Sequence, residues 1–257
     1  MTPGAPQRPR QAPTPPAAPP PAAPPELAAI GSVRLLDFDR VPGTASGGAA
    51  PGSLLLLHGF GDDKTALRPL GDALCPAGAV AVYPALRAHG ASPAPAWGYS
   101  PLDFAADVQR IADSLPRPVH VVGHSYGALV AALIGVCLGP ERIASVALLD
   151  QAFEPLMERY EADEWAEASF LKWHYDYSHL IDVLGFLGIP VLSVIAREST
   201  VVPEGERTRM LSRRTAGYFS CVLTEGGHTS FLRDSAVELL ADFYRSAFGN
   251  PKLETRP

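Results

Sequence analysis

Three side chains in this sequence have the types and surroundings needed for acyl transfer. Gly123-His124-Ser125-Tyr126-Gly127 frames a serine between glycines in G-x-S-x-G spacing. A serine hydroxyl is a poor nucleophile until a base takes its proton as it attacks. Glu225-Gly226-Gly227-His228 presents a histidine behind two glycines, and His228 is the candidate base. A carboxylate must then hold that imidazole in the right tautomer and stabilise the imidazolium. In serine proteases, loss of that charge costs roughly 10⁴ in rate. Asp150, which closes the apolar run RIASVALL (142–149), is the first candidate for the acid. Glu198 is the second, and a site without a functioning acid is the third reading. No aspartate occurs between Asp182 and Asp234.

These residues need elements to position them. Val119, Val121 and Val122 form a short β-branched run that fits a buried strand. Ala128, Leu129, Ala131, Ala132, Leu133 and Ile134 follow with helix-forming character. The turn between them must be tight enough to strain the backbone of Ser125 and push its side chain outward. Gly123 and Gly127 are required because a Cβ at either position would collide with the neighbouring strand or helix. The Tyr126 N–H, at the helix N-terminus, would face an oxyanion formed on attack by Ser125. A second apolar strand, Ser53–Leu57, leads into His58-Gly59-Phe60-Gly61, where the Phe60 N–H would be the other oxyanion donor. His58 itself reads as structural, an imidazole hydrogen-bonding its loop. His124 is expected to be buried beside the turn, His89 and His120 to lie in a loop and a strand, and His174 and His179 to lie in the cap expected over residues 151–180.

The remaining chain alternates. Strands are expected over Ser32–Asp39, Ala79–Tyr83, Gly188–Ile195 and Tyr218–Leu223. Helices are expected over Lys64–Leu74, through Leu102–Leu115, over Glu204–Thr215 and over Ser230–Phe248. Such alternation predicts an α/β protein with a mostly parallel sheet and helices on both faces. Ligands in such sheets bind outside the carboxyl ends of the strands. His58–Phe60, Ser125, Asp150 and His228 all fall at such ends. Residues 151–180 differ, being rich in glutamate and aromatics. They are read as a helical cap with Trp165, Phe170 and Trp173 facing the substrate; an ordinary amphipathic helix with its aromatics in the core is the competing reading.

Composition narrows the classes further. The chain has 257 residues, enough for one α/β domain without metal or disulfide staples. Its three cysteines, Cys75, Cys137 and Cys221, have no C-x-x-C spacing and read as reduced, mostly buried residues of a cytoplasmic protein. A formal charge of −6 argues against a nucleic-acid partner. No run approaches the ~18 apolar residues of a membrane span. Residues 1–25 hold eleven prolines, so 1–29 is expected to be a disordered tail. The domain is expected over 30–249, with 250–257 as a C-terminal tail.

The order HGFG (58–61), AHGAS (88–92), YSPLDFAADVQRIADSL (99–115), GHSYG (123–127) and GGHTSFLRD (226–234) resembles the α/β-hydrolase superfamily across residues 30–249. The resemblance implies the α/β-hydrolase fold, with a serine hydrolase activity of the esterase or thioesterase kind. It places His228 at the family's catalytic histidine. The family's commonest acid position follows the strand PVLSVI (190–195), where this chain reads Ala196-Arg197-Glu198-Ser199-Thr200-Val201-Val202-Pro203. The end of the preceding strand, used by thioesterase-like and some other branches, holds Asp150. Epoxide hydrolases and dehalogenases of this fold carry an aspartate at the elbow tip, and Ser125 argues against both.

The expected substrate is a small molecule with an apolar or aromatic acyl portion, attacked without metal or organic cofactor. Oligomeric state is left open. Two rivals stand beside this reading. One is a lyase or cyclase using His228 and Asp150 for proton transfer without a covalent serine adduct. The other is a ligand-binding protein that keeps the pocket without turnover.

Overall fold

The run Ser53–Leu57 is buried at every position, and its alternate leucines point to opposite faces of a sheet. Leu55 and Leu57 join one apolar cluster, whereas Leu54 and Leu56 join another. This two-sided burial is what a strand without polar alternation requires. The computed structural model describes residues 36–45, 51–96, 98–154, 176–213, 218–232 and 235–248, all within the unit Arg34–Pro257. The expected tails, 1–29 and 250–257, and the expected cap residues Trp165, Phe170 and Trp173 lie outside the described residues.

The strands are β1 (Phe38–Pro42), β2 (Ser53–Leu57), β3 (Val80–Pro84), β4 (Val119–His124), β5 (Ile143–Leu149), β6 (Val191–Glu198) and β7 (Phe219–Gly227). They form one sheet in the order β1-β3-β2-β4-β5-β6-β7. β1 pairs antiparallel with β3, and every other neighbouring pair is parallel. The described helices are α1 (Arg68–Leu74), α2 (Pro101–Ala112), α3 (Tyr126–Leu138), α4 (His179–Phe186), α5 (Glu204–Ser212) and α6 (Ser235–Phe248), with a 3₁₀ turn at Ser230–Leu232. Residues of α2, α3 and α4 share one core cluster with Leu55, Val121, Val146 and Ile195. Residues of α1 and α6 share the other with Leu54, Val122, Ala147 and Val194. The sheet is therefore covered on both faces, as the alternation of elements predicts.

Several boundaries differ from the sequence reading. Of the expected first strand, Ser32–Asp39, residues 32–35 lie outside the described residues; β1 is Phe38–Pro42 and runs on past Asp39, because pairing with β3 (Phe38↔Pro84 to Pro42↔Val80) carries it there. Pro42 is tolerated because β1 is an edge. Helix α1 starts at Arg68 rather than Lys64. The Asp63 carboxylate accepts from the N–H and hydroxyl of Thr65, which competes with a helical turn, and Pro69 sits in the first turn of α1. β6 and β7 both run past their apolar cores, to Glu198 and Gly227, as each extends the other's ladder. Residues 179 and 180, placed in the expected cap, begin α4, whose Ile181 and Leu184 are buried in the same cluster as α3. The cysteines are not mostly buried. Cys75 is, but Cys137 is exposed near the end of α3 and Cys221 is half-buried.

Candidate active site

The parallel register brings the site together. The Ser125 N–H donates to Leu149 O at 2.8 Å, and the Asp150 N–H donates to Val194 O at 2.8 Å. Each strand end is thus laddered to the next, and Ser125 and Asp150 occupy neighbouring stations along the rim. Ser125 sits at φ 52°, ψ −130°, in the left-handed half of the map although it is not glycine. Such strain persists only where the surroundings over-determine it. A Cβ on Gly123 would lie 2.2 Å from Gly127 O, and one on Gly127 would lie 2.3 Å from Leu57 O and 2.4 Å from His58 O. The expected collisions are therefore real, with the start of α3 in one case and the end of β2 in the other. Their consequence is that the turn at Ser125 and the loop after β2 touch backbone to backbone. A Cβ on Gly59 would lie 3.0 Å from Ser125 Cβ.

Asp150 is fully buried and has φ 47°. Its carboxylate collects three donors. The Ala196 N–H reaches Oδ1 at 2.9 Å, the Ser199 hydroxyl reaches Oδ2 at 2.8 Å, and His228 Nδ1 lies 2.7 Å from the same Oδ2. A buried carboxylate without such donors would cost several kcal/mol. Because Nδ1 faces a carboxylate, it carries the proton, and His228 Nε2 is left with its lone pair. His228 is half-buried, as is Ser125, so both reacting atoms lie at the accessible end of a buried network. Glu198, the other candidate acid, is exposed at the end of β6.

His228 is held from behind as well. His124 Nε2 donates to the His228 carbonyl oxygen at 2.8 Å, and the two rings lie 4.7 Å apart. His124 is the residue before Ser125, so this bond fastens the β7 turn to the turn at Ser125. Burial pushes the His124 pKa down to about 4. It is neutral at ordinary pH, as a stacked partner of His228 must be if it is not to repel the imidazolium.

The loop His58–Gly61 is fixed by two imidazoles. His58 Nδ1 donates to Gly59 O at 2.7 Å, and its Nε2 accepts from the Leu86 N–H at 2.9 Å. His89 Nδ1 donates to Arg87 O at 2.8 Å, and its Nε2 accepts from the Gly61 N–H at 3.1 Å. Burial lowers the His58 pKa to about 4. His58 is thus the structural histidine the sequence suggests. His89 is a second one that went unrecognised, and its place in AHGAS beside an Ala–Pro-rich loop gave no periodic signal. Phe60, whose N–H is a candidate oxyanion donor, packs its ring edge-on to His89 at 5.7 Å. Tyr126, whose N–H is the other candidate, packs its buried ring on Phe104 at 5.0 Å.

Two polar neighbours of the site were missed by sequence reasoning. Ser199 stands where the usual aspartate is missing, and Asp62 follows the His-Gly-Phe-Gly loop. Asp62 Oδ2 lies 4.0 Å from His124 Nδ1. Burial raises its pKa, opposed by a backbone hydrogen bond from Gly59 and by the field of His228. Among the described residues, no three His, Cys, Asp or Glu side chains converge as metal ligands would, and no helix is long and apolar enough to cross a membrane.

A family model described as the alpha/beta hydrolase family matches residues 54–243, most of the chain. The chain belongs to the alpha/beta hydrolase family. Solved members of this fold align along nearly their whole lengths. An esterase from Exiguobacterium antarcticum is 17% identical, covers 81% of this chain and 95% of its own, and superposes with a TM-score of 0.62. A thermophilic esterase from Thermogutta terrifontis is 17% identical, with 83% and 94% covered and a TM-score of 0.60. The thioesterase domain from the curacin biosynthetic pathway is 19% identical, with 82% and 99% covered and a TM-score of 0.57. At these identities the likeness concerns the hydrolase fold. No curated protein matches the sequence significantly.

Proposed function

We propose that this α/β-hydrolase is a serine hydrolase that cleaves or transfers the acyl group of a carboxylic ester or thioester through an acyl-Ser125 intermediate. The observation that carries the reading is the 2.7 Å contact of His228 Nδ1 with the buried Asp150 carboxylate, on a histidine whose backbone is bonded to the neighbour of Ser125. In this reading Ser125 Oγ attacks the carbonyl carbon while its proton passes to His228 Nε2. The imidazolium is stabilised by Asp150, and the oxyanion is met by the N–H groups of Phe60 and Tyr126. Collapse expels the alcohol or thiol, which takes the proton from Nε2. Water, deprotonated by the same nitrogen, then releases the acid. Trp165, Phe170 and Trp173 are proposed to contact an apolar or aromatic acyl portion. Asp150 takes the role of triad acid in preference to Glu198, since its carboxylate is buried against His228 and that of Glu198 is in solvent.

The test is labelling by a fluorophosphonate probe, read by intact mass. Wild type is expected to label, Ser125→Ala not at all, Asp150→Asn at a rate lower by orders of magnitude, and Glu198→Gln at the wild-type rate. A folded wild type that resists the probe would overturn the reading and favour proton-transfer chemistry or ligand binding without turnover.

A further inference from the structure

We propose that Ser199 is a positioning residue for the reaction: standing in the turn after β6, its hydroxyl fixes Asp150 Oδ2 against His228. The inference rests on the reading of Asp150 and His228 as catalytic partners. Three observations support it. Ser199 Oγ accepts from the N–H groups of Val201 at 3.2 Å and Val202 at 3.0 Å. With its lone pairs engaged on that side, the hydroxyl has its proton to give, and Asp150 Oδ2 is 2.8 Å away. That oxygen is the one His228 Nδ1 contacts, whereas Oδ1 is held by the Ala196 N–H. Asp150 moreover sits at φ 47°, a conformation that its backbone does not favour unaided, so the orientation of its side chain depends on these bonds.

The local sequence explains why serine serves here. The Ser199 N–H donates to Ala196 O at 3.1 Å, so the chain turns directly after β6. The turn presents a short side chain to the buried carboxylate. An ionised acid at the same place would set two negative charges in hydrogen-bond contact, and one would have to take up a proton. A hydroxyl instead donates to the carboxylate and limits its rotation. Without the hydroxyl the carboxylate is held by the Ala196 N–H on Oδ1 and, on Oδ2, by His228 itself. Its hold on the imidazolium weakens, and both the rate and the proton affinity of His228 fall together. Among the described residues, the other charged or titratable groups near His228 are His124, ring to ring at 4.7 Å, and Asp62. Neither is altered by a substitution at 199.

The experiment compares Ser199→Ala and Ser199→Thr with wild type. The readouts are the pH dependence of fluorophosphonate labelling and the low-field proton resonance of His228 Nδ1. Ser199→Ala is expected to label about tenfold more slowly on the plateau, the equivalent of one hydrogen bond to a charged group (about 1.4 kcal/mol). Its acid limb should move to lower pH, and the Nδ1 resonance should broaden by exchange. Ser199→Thr keeps a hydroxyl and should remain within about threefold of wild type. If Ser199→Ala fails to fold, Ser199→Cys, nearly equal in size and a weaker donor, is expected to change in the same direction. A Ser199→Ala that matches wild type in rate, limb and resonance overturns the proposal while leaving the serine-hydrolase reading intact. A wild type that resists the probe overturns that reading instead, and the resonance of the Ala variant still decides whether Ser199 positions the pair.

Discussion

His124 donates a 2.8 Å hydrogen bond from Nε2 to the backbone carbonyl of His228, so the residue before the candidate nucleophile carries the backbone of the candidate base. The two lie 104 positions apart in the chain, and the bond closes a loop from β4 through β5 and β6 to β7. Replacing His124 by Phe keeps a ring against His228 and removes the donor. The expected cost is about 1 kcal/mol in stability, the net worth of one neutral hydrogen bond. The labelling rate should fall by about tenfold, the equivalent of about 1.4 kcal/mol, as the His228 backbone loses its tie to the residue before Ser125. Chemical denaturation and labelling, run on the same preparation, check both. An unchanged rate would show that Asp150 alone suffices to place the imidazole.

Asp62 brings a second carboxylate to the face of His124 and into the field of His228. It is not needed for the proposed chemistry, but its charge favours the protonated form of His228. Asp62→Asn removes that charge, so the base should lose its proton more readily. The acid limb of the labelling profile is expected to move to lower pH by roughly a few tenths of a unit, the size of a screened interaction at a half-exposed site. The plateau should stay level, unlike that of Ser199→Ala. A limb that moves upward would contradict the placement of this charge.

How much of this was readable beforehand depends on the range of the interaction concerned. The turn at Ser125 was legible because its requirements are local: two glycines, a β-branched run before and an alanine-rich run after. Asp150 was legible as a strand-end carboxylate, yet Glu198 could not be dismissed, since only the sheet register shows that one side chain points inward and the other into solvent. The end of the first strand at Pro42 was not legible, because it is decided by pairing with β3, about forty residues away. Ser199 and His89 were not legible as contributors at all. Each acts through a hydrogen bond to a partner distant in sequence, and neither carries a periodic signal.

The glycines at the turn make a prediction about what holds the site. Gly127→Ala would thrust a methyl to within 2.3 Å of Leu57 O and 2.4 Å of His58 O, both backbone atoms that cannot swing aside. The loop carrying Phe60 would have to retreat from Ser125. A loss of about 2–4 kcal/mol is expected, with labelling all but abolished. Gly139→Ala is the control. A Cβ there meets nothing within 4 Å, and its cost comes only from φ +67°. It should lose about 1 kcal/mol and keep the wild-type labelling rate. Equal losses of labelling in the two variants would mean that the close approach of β2 and α3 does not shape the site.

The buried histidines predict how stability changes with pH. Burial holds His58 and His124 down to about 4 and His120 to about 3, against 6.5 for an unhindered imidazole. Below pH 6.5 the unfolded chain takes up these protons and the native chain does not, so stability is lost as pH falls from 6.5 toward 4. Each group contributes a slope approaching about 1.4 kcal/mol per pH unit in that interval. Between pH 6.5 and 5, where carboxylates are still largely ionised, the histidines should dominate. His120 offers the cleanest check, because it lies away from the site, with Nδ1 2.7 Å from Ser145 Oγ and its ring edge-on to Tyr244 at 5.6 Å. His120→Gln keeps a polar group for Ser145 and removes the titration. Urea unfolding measured across this interval should show a slope shallower than wild type by up to about 1.4 kcal/mol per pH unit. Identical slopes in the two proteins would mean that His120 takes up its proton as readily in the native state as in the unfolded chain, and would overturn the expected effect of its burial.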